Sequence, residues 1–393
     1  MQSRPSYDMN IPTRTIFGSG SLNTLHEHAF PGKKALLVIS NGKSTRDNGY
    51  LERTERELQA AGVESVLFDQ VEPNPLKSTV MAGSRVAREN GCDFVLALGG
   101  GSCMDAAKAI AAMAANEGDL WDYVGSGTGL GRELKNRALP IVAITTTAGT
   151  GSETDASAVI TNADTKEKIG YRHASLFPCL AIVDPELTLS VPPKSTAYQG
   201  FDALFHSTEG FISKHANFMS DIYALAAIEA VGRNLDRAVA DGGNLAVREK
   251  ISWGNTLSGS VMVLSSTTSS HGMEHAMSAF HQKLPHGAGL IMISLAYYDF
   301  FIRKHVCDDR FVRMARALGR PHAKKPEEFL ELLAGLEERC GVGNLKMSDY
   351  GITPDEFPAL AVNARATMTR LFLADRIDLS PDDVVSIYSA AYK

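Results

Sequence analysis

The sequence predicts an α/β protein of two domains. An N-terminal Rossmann-like dinucleotide-binding domain spans residues 1–190, and an all-α metal-binding and catalytic domain spans residues 191–393. Three observations carry this. Short apolar runs alternate with helical patterns through the first half. Two of those runs end in loops rich in glycine or threonine. After Phe201, strand-like runs almost vanish, and histidines and an aspartate recur at helical spacing.

The strands come first in the chain. KKALLVIS (33–40), VESVLFD (63–69), CDFVLALGGG (92–101) and ALPIVAITTT (138–147) are short, apolar and bounded by polar or glycine-rich stretches. LERTERELQAAG and STVMAGSRVARENG lie between them with helical periodicity, the latter stopping at Gly91. Buried runs separated by helices predict βαβ units and a parallel sheet. The links are short enough for right-handed crossovers. VPPKSTAYQG, near residue 190, marks the domain junction. SDIYALAAIEAVGRNLDRAVA and PEEFLELLAGLEERCG beyond it are amphipathic helices.

Composition narrows the function. A chain of 393 residues exceeds one compact core and suits two domains. Its net charge of -6 leaves no basic excess for a phosphate backbone, so nucleic acid is not its main partner. Cys92, Cys103, Cys179, Cys307 and Cys340 are odd in number, far apart and in no CxxC pair. They read as reduced, buried thiols of a cytoplasmic protein. MQSRPSYDMNIPTR lacks the apolar stretch of a signal peptide, and nowhere do 18 apolar residues run together, so no membrane partner is expected.

Gly99, Gly100, Gly101 and Ser102 stand between an apparent strand and a helix. Helix N-terminal amides attract anions, and glycines let a pyrophosphate approach. A glycine triplet alone suits a ligand-free tight turn equally well. AITTTAGTGSETD (143–155) shifts the balance: it also follows a strand, and Thr146, Thr147, Thr150 and Ser152 can bond phosphate or ribose. Two such loops on neighbouring strands mark the crevice where open parallel sheets bind ligands. The first strand ends at Ser40, with no carboxylate to bond a ribose 2′-hydroxyl, while Lys43 or Arg46 can attract a 2′-phosphate. This favours NADP over NAD.

Asp202 and His206 are four residues apart, as are His271 and His275, so each pair shares a helix face. His286 sits in LPHGAG, an element boundary. Three imidazoles and one carboxylate, from Asp202, His206, His271 and His286, suit Fe(II), Zn(II) or another first-row divalent ion. The bland alternative is a set of core histidines. His26, His28, His173, His215, His305 and His322 are assigned no function, Glu209 and Glu274 read as helix-surface charges, and Phe205, Phe280 and His281 are expected to line a substrate pocket.

Together PTRTIFGSGSL, VEPNP, GGGSCMDAAK, TTAGTGSE, GFDALFHSTEGFIS, HGMEHAMSAF, LPHGAG and LSPDDVVSIYSAAY resemble the iron-containing (group III) alcohol dehydrogenase family nearly end to end. The resemblance implies the dehydroquinate synthase-like fold of that family, with PTRTIFGSGSL as a β-hairpin-like opening. It implies metal ligands at Asp202, His206, His271 and His286, and a further active-site histidine, for proton relay or substrate orientation, at His275. It places the pyrophosphate loop at Gly99, Gly100, Gly101 and Ser102, supported by Asp105. Asn74, Thr146, Thr147, Thr150 and Lys168 fall at cofactor positions, Lys168 near the nicotinamide ribose. The implied reaction is reversible hydride transfer between NADP or NAD and a small primary alcohol, diol or aldehyde. The substrate would lie in a cleft between the domains of a homo-oligomer, dimer or larger.

This sequence departs from the family in one telling place. Many members carry aspartate where Ser40 stands, and those prefer NAD; the spacing from His271 to His286 also varies among members. A polyol dehydrogenase or maleylacetate reductase shares the fold but differs in the metal set or lacks the metal. A metallohydrolase would leave the two loops unexplained, and a sensor without turnover would differ only by assay.

Overall fold

The computed structural model describes residues 7–393. The chain folds into two compact units: Ile11–Val191, and Pro192–Lys393 with the described residues up to Asn10.

In the first unit the elements run β1 (Arg14–Phe17), β2 (Lys34–Ser40), α1 (Ser44–Asp47), α2 (Tyr50–Ala60), β3 (Glu64–Val71), α3 (Lys77–Glu89), β4 (Phe94–Gly99), α4 (Gly101–Ala115), β5 (Ile141–Thr145), β6 (Ser157–Asn162), β7 (Glu167–Arg172) and β8 (Leu180–Val183). Six strands form one sheet in the order β1-β8-β5-β4-β2-β3, and every pairing in it is parallel. The strands are buried on both faces yet keep the period of two. Leu36, Val38, Val95 and Ala97 pack with Val80 and Ala87 of α3 and Ala106 and Ile110 of α4. Leu37, Ile39, Leu96 and Leu98 pack on the other face, with Leu51 and Leu58 of α2 and with Leu22 and Leu25.

Two expectations change here. PTRTIFGSGSL is not a hairpin: β1 runs parallel to β8, Arg14 facing Leu180, and a 3-10 turn (Ser21–Glu27) follows it. The hairpin is elsewhere, as the antiparallel pair β6–β7, which neither alternation nor an apolar run announces. β8 is only four residues long and follows Pro178 and Cys179, so its short LAIV reads as a strand only once its neighbours are in place.

The second unit contains α5 (Pro193–Ile212), α6 (Phe218–Gly232), α7 (Leu235–Ala240), α8 (Leu245–Leu264), α9 (Ser269–Phe280), α10 (His286–Arg303), α11 (Asp308–Ala317), α12 (Glu327–Arg339), α13 (Phe357–Thr367), α14 (Thr369–Phe372) and α15 (Pro381–Ala391). Among the described residues it holds no strand, as expected of an all-α domain. The junction prolines start α5: Pro193 takes the first helical position, where a missing N–H costs nothing. α5 packs against α6, α8 and α10 and is buried along most of its length. α9 packs against α10 and α13.

The five cysteines form no disulfide. Cys92, Cys103 and Cys340 are buried, but Cys179 is exposed, against the expectation of uniformly buried thiols. No described helix is long and apolar enough to cross a membrane.

Glu337 of α12 is buried against α10, where it accepts a hydrogen bond from Ser294 Oγ at 2.7 Å. Burial pushes its carboxyl up to about 8, although Ser294 and Lys393 work against the rise. A raised pKa in the folded state means that stability is full at acid pH and is lost as pH climbs through that value. The melting temperature of Glu337→Gln should therefore fall less than that of the parent between pH 5 and pH 9. Parallel curves would show that this carboxyl is not held in its neutral form.

Candidate metal centre and nucleotide loops

α5 presents Asp202 and His206 one turn apart, α9 presents His271, and His286 opens α10. All but His286 are nearly inaccessible, and the His286 side chain is 24% exposed. Nε2 of His206, of His271 and of His286 each stands 3.5 Å from the same atom, Asp202 Oδ1. That oxygen and His271 Nε2 are buried with no hydrogen-bond partner. A tetrahedral ion with bonds of about 2.1 Å sets its ligands about 3.4 Å apart. The four side chains therefore fit a divalent ion: donors of the right type, at the spacing such an ion imposes, two of them buried with no other partner. Their electrostatics agree. Burial alone would raise Asp202, but His206 and His286 reverse this and hold its carboxyl below the usual range. Burial pushes His206 down to about 4. Burial also opposes a charge on His271, yet Glu209 and Asp202 outweigh it and lift this imidazole to about 10.

Glu209 and Glu274 overturn the reading of them as surface charges. Both are fully buried. Glu209 Oε1 is 2.7 Å from His271 Nδ1, and Glu274 Oε2 contacts His286 Nδ1. A carboxylate on Nδ1 fixes the tautomer and aims the Nε2 lone pair at an ion. A signal was present for Glu209: with Asp202 and His206 it makes an i, i+4, i+7 face of one helix. The glycines of LPHGAG also gain a reason. A Cβ on Gly287 would lie 2.2 Å from the Tyr198 carbonyl oxygen, so a side chain there would drive α10, and His286 with it, off α5.

His275 is buried one turn after His271, with its ring centroid 5.3 Å from that of His286. It groups with Glu274 and His286 rather than with Asp202. Phe205 does not line a pocket: it is buried between Phe201 and Tyr298, with ring centroids 5.8 and 6.2 Å away. His281 is turned to Glu356, 3.1 Å from its Oε1, and Phe280, the last residue of α9, is partly exposed.

In the sheet unit, β4 and β5 are neighbours, and the two loops leave their C-terminal ends side by side. Thr146 N bonds Gly99 O at 3.0 Å. Cβ atoms on Gly100 and Gly101 would strike Thr147 and Thr150 at 2.8 and 2.3 Å, so this contact requires glycine. No side chain caps α4, whose first turn holds Ser102, so its leading amides can meet an anion. Asp105 bonds Ser152 Oγ at 2.7 Å and Val159 N at 2.9 Å. Burial raises Asp105 to about 6, with Lys108 opposing. Ser152 is thereby removed from the candidate phosphate ligands: it is buried, donating to Asp105 and accepting from Lys108 Nζ at 2.7 Å. Lys108, overlooked in the sequence, is fully buried and also binds Asp155 at 2.7 Å.

Asn74 takes a left-handed conformation (φ 55) in the loop after β3, and the next residue, Pro75, accepts a bond from Thr161 N of β6. Lys168 of β7 is buried and pairs across the hairpin with Thr161, which brings it to the same edge. Ser40 ends β2 opposite Val71. Arg46 pairs with Asp69 at 2.6 Å, both side chains being exposed, and Lys43 precedes it in the same turn.

Comparison with known proteins now decides the family. Residues 12–185 match the family profile described as iron-containing alcohol dehydrogenase, and residues 196–392 that described as Fe-containing alcohol dehydrogenase family, C-terminal. The chain belongs to the iron-containing alcohol dehydrogenase family. It is 34% identical to a 1,3-propanediol dehydrogenase of Citrobacter freundii, over 90% of this chain and 91% of that one. It is 30% identical to alcohol dehydrogenase 4 of Saccharomyces cerevisiae (strain YJM789), over 98% of both. An archaeal halo-thermophilic alcohol dehydrogenase from a Red Sea brine pool superposes with a TM-score of 0.94 at 32% identity, over 99% of this chain and 100% of that one. This iron-type alcohol dehydrogenase is thus an oxidoreductase on the fold the sequence predicts.

Lys108→Met would leave Asp105 and Asp155 buried without their cation. Breaking a buried pair in this way costs about 3–5 kcal/mol. A lowered melting temperature and weaker NADH binding by fluorescence titration are expected. Unchanged values for both would show that Lys108 does not hold the two loops together.

Proposed function

We propose that this protein is a divalent-metal alcohol dehydrogenase and aldehyde reductase, with the ion held by Asp202, His206, His271 and His286. The observation that carries the reading is the convergence of three Nε2 atoms on one unpartnered carboxylate oxygen. When bound, the ion, Fe(II) by family or Zn(II), supplies Lewis acidity to the substrate oxygen, and the nicotinamide gives or takes the hydride. The chain's own part is positioning. Glu209 and Glu274 hold the His271 and His286 rings in one tautomer. Gly99, Gly100, Gly101 and Ser102 receive the pyrophosphate, with Asp105 and Lys108 bracing them against the loop of Thr146, Thr147 and Thr150. Asn74 and Lys168 serve the nicotinamide half. His275 orients the substrate or relays its proton. The substrate is a small primary alcohol, diol or aldehyde, and the protein is a cytoplasmic homo-oligomer.

The deciding assay follows NAD(P)H absorbance anaerobically with Fe(II)- or Zn(II)-loaded protein and short aldehydes. Metal-dependent consumption is expected, together with loss of bound metal in His271→Ala. His275→Ala should lower turnover and keep its metal; a metal-free His275→Ala would make His275 a ligand instead.

Ser40 and Lys43 favour NADPH, since no carboxylate at Ser40 repels a 2′-phosphate. Ser40→Asp should shift the ratio of kcat/KM for NADH over NADPH upward by about tenfold, one like-charge contact of about 1.4 kcal/mol. An unmoved ratio would mean that Ser40 does not face the ribose.

A further inference from the structure

We propose that Asp375 is a positioning residue for the metal site, acting on His271 through the first turn of α9. The proposal deepens the preceding reading and rests on His271 being a ligand.

α9 begins without a side-chain cap of its own: Thr268, its N-cap residue, makes none. Its leading amides are orphan donors at the positive end of a helix dipole. Two carboxylates from distant parts of the chain take them. Glu209 accepts from Thr268 N at 2.8 Å and from Thr268 Oγ1 at 3.0 Å. Asp375, just after α14, accepts from Ser269 N at 3.3 Å. Tyr297 of α10 joins the two ends: its hydroxyl lies 2.9 Å from both Thr268 Oγ1 and Asp375 Oδ1, and it accepts from Ser269 Oγ at 3.2 Å. Glu209, Thr268, Ser269, Tyr297 and Asp375 are all buried.

The network has a direction. One oxygen of Glu209 holds His271 Nδ1, and the other accepts from Thr268, whose hydroxyl lies against that of Tyr297, which in turn contacts Asp375. Ser269 is only two residues before His271, so the same contacts set the axial position of α9. A metal site tolerates donor displacements of about 0.2 Å, so a small slide of this turn would be felt at the ion. Space-filling alone does not account for an acid here. Burial raises Asp375 to about 7 against the hydrogen bonds from Ser269 and Tyr297, and its Oδ2 has no partner. An apolar residue would fill the space without that cost.

The test compares the parent with Asp375→Ala, Asp375→Asn and Tyr297→Phe, each loaded with Zn(II) or Co(II). Metal loss to excess chelator is timed by elemental analysis, the visible spectrum of the Co(II) forms is recorded, and folding is checked by circular dichroism and melting temperature. Losing a direct partner of a ligand costs about 10- to 100-fold in metal affinity; for this more remote group, release about 3- to 10-fold faster is expected in Asp375→Ala and Tyr297→Phe. Their Co(II) spectra should shift. Asp375→Asn keeps the oxygen that accepts from Ser269 and Tyr297, so it should stay close to the parent. Parent-like release and spectra in Asp375→Ala and Tyr297→Phe, even with lowered melting temperatures, would overturn the proposal by reducing Asp375 to a structural role. Should Asp375→Ala fail to fold, Tyr297→Phe against Asp375→Asn decides by the same readings. A parent that takes up no stoichiometric metal would instead sink the metal reading itself.

Discussion

The second unit depends on one unfavourable act made favourable: gathering Asp202, Glu209 and Glu274 with four imidazoles in a helical interior. Burying carboxylates without compensation is costly, so each must find a donor or a cation. Glu209 finds His271, Glu274 finds His286, and Asp202 Oδ1 is left facing three Nε2 atoms with no hydrogen bond. The helices follow from this. α5 lies almost wholly inside, α9 enters between two foreign carboxylates, and α10 comes so close to α5 that Gly287 leaves no room for a side chain. A helical bundle needs none of these features to bury apolar area.

The sheet unit meets a different constraint with the same means. Two loops must lie together at the ends of β4 and β5, with their backbone open to an anion. Glycine supplies the closeness, and a buried ion-pair network supplies the rigidity. Lys108 sits in the middle of α4 and touches Ser152, Asp155 and the Ser157 carbonyl, so the helix that starts at the glycine loop is tied to the segment that carries the threonine loop. Asp105 extends the tie to Val159 of β6, and the Pro75 carbonyl holds Thr161 of the same strand. The hairpin that positions Lys168 is thus fastened to both the glycine loop and the loop of Asn74.

Local rules reach different depths in the two units. β2, β3, β4 and β5 were legible because each is a compact apolar run with turn residues beside it. β1 and β8 were not, because a four-residue strand is decided by the strands it pairs with, and β6–β7 lacks the alternation of a half-buried strand. At the site, helical spacing selected Asp202 with His206 and His271 with His275. The same spacing extended by one turn would have added Glu209.

Sequence by itself determined the fold class, the glycine and threonine loops after two strands, and the residue types of the Asp/His cluster, because these follow from periodicity and side-chain chemistry within a few residues. Only the tertiary structure decided which charges are buried and whom they face. It turned Glu209 and Glu274 from surface groups into buried carboxylates on histidine rings, moved Phe205 into the core, tied Ser152 to Asp105 and Lys108, and brought Asp375 to the head of α9. The physical reason is range. A helix face can be read along one chain segment, but a hydrogen bond between residues 106 positions apart exists only after the helices have packed.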